Sequence, residues 1–224
     1  MLRKTHRARD TILTTALFWI AAACALAYFP MAPRPASAMR SVLKTTSVAV
    51  LAAIALLTNG PMLLVLALAL CAVGDALLSR DSDSTFMAGI GAFAAGHLAY
   101  IALFLTHPNS DLSVVLNKPG YFWSLLLLGI VATTLLAPRA GDLKGPVLGY
   151  IPIILGMGVT VLALPETGTL RWALPAALAF IASDLILATE KFLLPPDHPA
   201  HRITPFMVWG LYWAAQAGLL IALS

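Results

Sequence analysis

Long apolar runs alternate along the chain with short polar or Pro/Gly joints. Eight runs are read, at about 11–29, 41–58, 61–79, 86–106, 120–137, 145–164, 170–190 and 203–223. The joints carry breakers and charges, such as Asn59-Gly60-Pro61, Pro138 to Lys144 and Pro165 to Gly168. Runs near ~20 residues match a hydrocarbon core about 30 Å thick. A transmembrane β-barrel would instead show alternating segments of ~10 residues, which continuous Leu/Ala runs are not. The pattern predicts an all-α polytopic membrane protein, with about eight transmembrane helices in one bundle. Residues 1–10 read as a basic cytoplasmic tail and 11–224 as a single transmembrane domain.

The first run has a second reading. A basic start, an apolar stretch and Ala36-Ser37-Ala38 together resemble a cleavable signal peptide. The apolar stretch is longer than an ordinary signal core and ends well before the triplet, so retention as a first helix is preferred. Arg3, Lys4, Arg7 and Arg9 then place the N-terminus in the cytoplasm. Eight spans return the C-terminus to the same side. The later loops divide their Lys and Arg almost evenly, so orientation rests on the tail. The localisation expected is a multi-pass protein of the plasma (inner) membrane.

Composition sharpens this picture. The chain is 60% hydrophobic and only 11% charged over 224 residues, with mean hydropathy +0.88. Soluble domains carry about 25% charged residues, so a soluble enzyme, a disordered scaffold and a nucleic-acid-binding domain are all excluded. The net charge of +4 gathers mainly at the N-terminus and reads as a topology signal. Cys24 and Cys71 lie inside apolar runs and offer neither a disulfide framework nor a Cys-rich metal site. His198 and His201 alone do not make a metal site, and no metal or cofactor is expected. Zinc-protease, nucleophile-elbow and phosphate-loop motifs are absent.

Ionisable residues inside a span cost about 2.5–3.5 kcal/mol at its centre, so each calls for a reason. Lys44, Asp75, His97 and Asp184 lie within runs. Val73-Gly74-Asp75-Ala76-Leu77-Leu78 parallels Ala182-Ser183-Asp184-Leu185-Ile186-Leu187 four spans later, which hints at a four-plus-four duplication. At ~1.5 Å per residue, both aspartates fall roughly 6–9 Å from the same ends of parallel spans. Lys44 and Tyr150 fall in that layer, with His97 and Gln216 deeper. Burial raises a carboxyl pKa and a nearby ammonium lowers it, so two such aspartates can divide into an acid and an ionised partner. Two blander readings stand beside this one. Lys44 with Asp75 can serve as a register-fixing ion pair, and His97 with Tyr100 and Phe93 as core packing. Glu190 and Lys191, at a span end, read as snorkelling residues. Trp19, Tyr121, Trp123 and Trp172 read as interfacial anchors.

Gly74-Asp75-Ala76-Leu77-Leu78, followed by Phe86, Gly89, Phe93, His97 and Tyr100 at their spacings, resembles the central signature of the YhhN/lysoplasmalogenase family. Pro146-Val147 with Tyr150, Phe180 with Ser183-Asp184 and Phe192, and Tyr212 with Ala215-Gln216 extend the resemblance over residues 41–223. Lys44 falls where that family has a Lys-Pro pair, with Thr45 here replacing the proline. The resemblance implies an eight-helix membrane hydrolase that cleaves the vinyl-ether bond of lysoplasmalogens. The products are a fatty aldehyde and glycerophosphocholine or glycerophosphoethanolamine, and the partners are this lysophospholipid substrate and membrane lipids. Asp75 and Asp184 are then the catalytic pair. Lys44, His97, Tyr100, Tyr150, Ser183, Tyr212 and Gln216 bind substrate or support the pair. The alternatives are a small proton-coupled transporter using the same aspartates and a non-catalytic lipid-binding membrane protein.

Overall fold

A computed structural model describes residues 2–80 and 82–224, with side chains from residue 11 onwards. The tail side chains Arg3, Lys4, Arg7 and Arg9, on which the orientation expectation rests, lie outside the described ones. Eight helices follow in order: α1 (Leu2–Tyr28), α2 (Ala38–Leu57), α3 (Met62–Leu78), α4 (Asp83–Thr106), α5 (Pro119–Leu136), α6 (Lys144–Thr160), α7 (Ala173–Phe192) and α8 (Thr204–Leu223). They coincide with the eight apolar runs. Seven of the corresponding segments are long and apolar enough to cross a membrane, and α3, at 17 residues, is the shorter one. At ~1.5 Å per residue α3 still extends about 26 Å. The chain is an all-α polytopic bundle, with no strand among the described residues.

Local chemistry sets the joints. Ser37 and Ser82 cap α2 and α4, their side chains accepting from the backbone N–H of Arg40 and Thr85 at 3.2 Å each. The Ala36-Ser37-Ala38 triplet thus carries a helix cap. After α2, Asn59 adopts φ +54°, Gly60 N–H donates to Ala55 O at 2.8 Å and Asn59 N–H to Leu56 O at 3.1 Å. This closing turn satisfies the last carbonyls of α2 before Pro61 starts the return through α3.

Helices α3 and α4 pack closely, as do α7 and α8, α1 and α2, and α2 and α3. α4 leans on α6 rather than only on its chain neighbours. The peripheral α1 is tied inward where Trp209 Nε1 donates to Ala25 O at 3.0 Å and its ring meets Tyr28 at 4.3 Å. Trp19, Tyr121, Trp123 and Trp172 are all exposed on the outside of the bundle.

Glycines allow the α3–α4 approach. A Cβ at Gly74 would lie 2.6 Å from the Phe93 ring, and one at Gly89 would lie 2.7 Å from Leu78. Small residues at such crossings let helix backbones close without a hydrophobic drive between them. The Phe93 ring cannot swing freely, because Phe180 and Tyr212 meet it edge-on. Gly74→Ala is therefore expected to destabilise the bundle by about 1–3 kcal/mol, the range for overpacked cores. Gly91→Ala, whose methyl meets nothing within 4 Å, serves as the control. Thermal unfolding in detergent checks the pair, and a Gly74→Ala midpoint equal to that of Gly91→Ala would contradict the close approach.

Candidate active site

One cavity of about 300 Å³ opens between α2, α3, α4, α6, α7 and α8, and both aspartates line it. Its depth follows from the helix directions. α3 and α7 end at the mouth, while α2, α4, α6 and α8 start there, so Asp75 and Asp184 sit about one to two turns inside. The floor is polar, and Leu78, Ile90, Phe93, Val147, Ile151 and Leu187 give apolar walls.

Each aspartate has its own set of partners. Lys44 Nζ lies 3.1 Å from Asp75 Oδ1, and the Tyr212 hydroxyl donates to Oδ2 at 2.6 Å. Asp75 is fully buried and Lys44 nearly so, at 18% side-chain exposure. The Tyr150 hydroxyl donates to Asp184 Oδ2 at 2.5 Å, and His97 Nε2 stands 3.9 Å from the same oxygen. The ring orientation of His97 is fixed from behind. Its Nδ1 lies 2.7 Å from Phe93 O, and a carbonyl can only accept, so Nδ1 carries the proton. Nε2 is left buried, facing Asp184, with no hydrogen-bond partner of its own.

The two sets have the same form. Lys44 is the seventh residue of α2 and Tyr150 the seventh of α6. Each reaches the aspartate of the next helix in its own half of the chain. The remaining partner comes from the opposite half: Tyr212 of α8 serves Asp75, and His97 of α4 serves Asp184. The sets differ in charge, because an ammonium stands where the other has a phenol.

The remaining sequence-predicted residues stand at different removes. Ser183 lines the cavity and donates to Val208 O at 3.0 Å, tying α7 to α8. Tyr100 and Gln216 do not line it. They pair deeper in the bundle, where the Tyr100 hydroxyl donates to Gln216 Oε1 at 2.7 Å. His97 likewise does not line the cavity and meets it through the lining residues Phe93, Tyr150 and Asp184, while the Phe180 ring packs against it at 4.5 Å between centroids. Several lining residues were not singled out as site residues: Tyr28, Arg40, Phe86 and Trp209. Arg40 sits one helical turn before Lys44, a spacing visible in the sequence. The aromatic residues belong to remote helices that only folding brings to the mouth.

Glu190 and Lys191, read as snorkelling residues at a span end, line the cavity mouth. Glu190 Oε1 lies 3.4 Å from His201 Nδ1, and His201 Nε2 donates to Pro195 O at 2.8 Å. That carbonyl, with the Glu190 carboxylate beside the ring, holds the His201 imidazole above its usual range. Lys191 Nζ rests 4.9 Å above the Phe86 ring. Among the described residues no group of three or more metal-ligating side chains converges.

Breaking a buried ion pair from one side typically costs about 3–5 kcal/mol, because the surviving charge is left uncompensated. Asp75→Asn is expected to lose stability on that scale. Lys44→Met/Asp75→Asn should recover most of the loss, since it removes both charges. Denaturation of the three proteins in one detergent decides this. A double variant no more stable than Asp75→Asn would show that the pair is not what holds α2 to α3 here.

Residues 39–224 match the YhhN family. Over 160 residues the chain is 35% identical to the human protein named lysoplasmalogenase TMEM86B, covering 70% of this chain and 61% of that one. Over 159 residues it is 31% identical to the bovine lysoplasmalogenase TMEM86A, covering 68% of this chain and 60% of the relative. The chain thus spans about three fifths of the length of these relatives. No solved structure matches it. With the family match running from the start of α2 to the end of the chain, and Asp75, Tyr150, Asp184 and Tyr212 all inside it, this chain belongs to the YhhN family.

Proposed function

We propose that the protein is a membrane hydrolase that cleaves the vinyl-ether bond of lysoplasmalogens, with Asp184 as the acid and Asp75 as the ionised partner. The observation that carries this reading is the unequal surroundings of two aspartates in one intramembrane cavity. Asp75 faces an ammonium at 3.1 Å, which fixes it as a carboxylate. Asp184 faces a phenol and an imidazole whose proton is committed to Phe93, so it is the carboxyl that holds a proton. The names of the human and bovine relatives point to the same substrate class.

The chemistry needs that division. Asp184 transfers its proton to the second carbon of the alkenyl chain, and the first carbon becomes an oxocarbenium ion. Asp75, held by Lys44 and Tyr212, faces this cation and stabilises it electrostatically. Water adds to the first carbon and returns its proton to Asp184. The hemiacetal then collapses, its hydroxyl proton passing to the glycerol oxygen, to give the aldehyde and the glycerophospho-alcohol. Paired carboxylates serve a comparable cation in glycoside hydrolysis. Tyr150 and His97 position Asp184, and Ser183, Tyr100 and Gln216 hold the helices that carry the site.

A smaller apolar recess of about 60 Å³ between α5, α6 and α7 meets Tyr150, Ile151 and Asp184 from the other side. It gives the alkenyl chain a path from the aspartates towards lipid. The basic tail over residues 1–10 keeps both termini in the cytoplasm of a plasma (inner) membrane protein, with 11–224 as its transmembrane domain. The cavity mouth then opens on the non-cytoplasmic side.

Purified protein in detergent is expected to release aldehyde from a lysoplasmalogen. Asp184→Asn should lower the rate at least about 10²-fold, the low end of what a positioned general acid contributes, with the thermal midpoint little changed. A folded Asp184→Asn protein of wild-type activity would end this assignment. Run in D₂O, the reaction should place one deuterium on the carbon next to the aldehyde. Aldehyde without that label would mean that the ether is cleaved by another route.

A further inference from the structure

We infer that Arg40 and Lys191 form a phosphate-binding rim over the aspartate cavity, a site that receives the phosphodiester of a lysophospholipid headgroup. The ligand's identity rests on the hydrolase reading above, while the anion site stands on geometry of its own. Four charged side chains line the cavity besides the two aspartates: Arg40, Lys44, Glu190 and Lys191. Lys44 is engaged by Asp75 and Glu190 by His201. Arg40 and Lys191 enter no ion pair among the described residues, so the rim keeps two uncompensated cations.

Arg40 is held ready for an anion. One terminal nitrogen donates to Ala32 O at 3.0 Å, and the guanidinium lies 5.6 Å from the centre of the Tyr28 ring. That bond pins the α1–α2 joint and uses one of five N–H donors. The Nε–H is buried with no acceptor. A buried donor left unpaired costs about 1–3 kcal/mol, and a phosphate oxygen in the cavity would satisfy it. A planar guanidinium fork also matches phosphate geometry better than an ammonium does. α2 and α8 both start at this mouth, so the positive ends of their helix dipoles lie on its side.

Distance supports the assignment. Arg40 lies four residues from Lys44 towards the mouth, about 6 Å of helical rise, and Lys191 lies seven beyond Asp184, about 10 Å. From the alkenyl carbon to phosphorus a lysoplasmalogen runs through the ether oxygen, three glycerol carbons and the ester oxygen. Those six bonds extend roughly 7 Å. A substrate with its alkenyl carbon at the aspartates therefore places its phosphate at the rim.

The test uses ligands that cannot be hydrolysed. Binding of a saturated alkyl lysophosphocholine and of the same alkylglycerol without phosphate is measured on the intact protein in a non-ionic detergent. The wild type is expected to prefer the phosphorylated lipid at least tenfold. Arg40→Gln/Lys191→Gln should reduce that preference at least tenfold, and Arg40→Lys should retain part of it. Should the double variant not fold, Lys191→Gln alone, on an exposed side chain, is expected to reduce the preference at least threefold. Inorganic phosphate as competitor separates the two sources of the anion. Displacement marks a site open to free phosphate, and none marks a site reading phosphate only on a lipid. Equal wild-type affinity for the two lipids, or an unchanged preference in a folded variant, overturns the rim. A phosphate preference without aldehyde release from lysoplasmalogen would sink the hydrolase reading and leave the rim standing. Aldehyde release from phosphorylated and phosphate-free vinyl ethers alike would sink the rim alone.

Discussion

The ion pair between Lys44 and Asp75 organises the bundle around itself. Two charges within an apolar span can be retained only if they meet, and their meeting at 3.1 Å fixes the register of α2 against α3. Tyr212 then closes the second carboxylate oxygen and draws α8 across from the far half of the chain. With α8 comes Trp209, which holds α1 through the Ala25 carbonyl. A single buried charge pair thus reaches, through one phenol and one indole, four of the eight helices.

Its second consequence is to make two similar aspartates unlike. Lys44 and Tyr150 occupy matching positions in α2 and α6, and each contacts the aspartate of the following helix. An ammonium demands a carboxylate, whereas a phenol is satisfied by either protonation state of its neighbour. On the proposed reading, the difference between an acid and its ionised partner is therefore set by one residue in each half. The aspartate-bearing helices α3 and α7 themselves run unbroken through their carboxyl groups. Transport folds commonly interrupt such helices at the binding site, and these two provide no unwound backbone for an ion.

A cavity that starts at the helix ends and deepens towards the aspartates suits an amphiphile better than a solute. Its rim carries cations, its walls are aliphatic and aromatic, and its floor carries the carboxyls. The same order of charge, apolar stem and reactive linkage is found in a lysophospholipid lying in one leaflet. On the proposed reading, the membrane delivers the substrate already aligned along the cavity.

The sequence by itself determined the eight helices, because a bilayer admits few other solutions for apolar runs of this length. It also marked Lys44, Asp75 and Asp184, since charges inside apolar runs are too costly to be incidental. Helical rise alone placed Tyr150 in their layer. What it left open was the partnership of each residue. Tyr212 and His97 serve aspartates in the opposite half, and Tyr100 with Gln216 pairs out of reach of the cavity. Those contacts depend on the rotation of each helix about its axis and on α4 leaning towards α6, neither of which hydropathy encodes. Arg40, Glu190 and Lys191 were legible only as residues near span ends. Tertiary structure brought them to the cavity, where the loop that precedes α2 holds Arg40 through Ala32 and the loop that follows α7 meets Glu190 through His201.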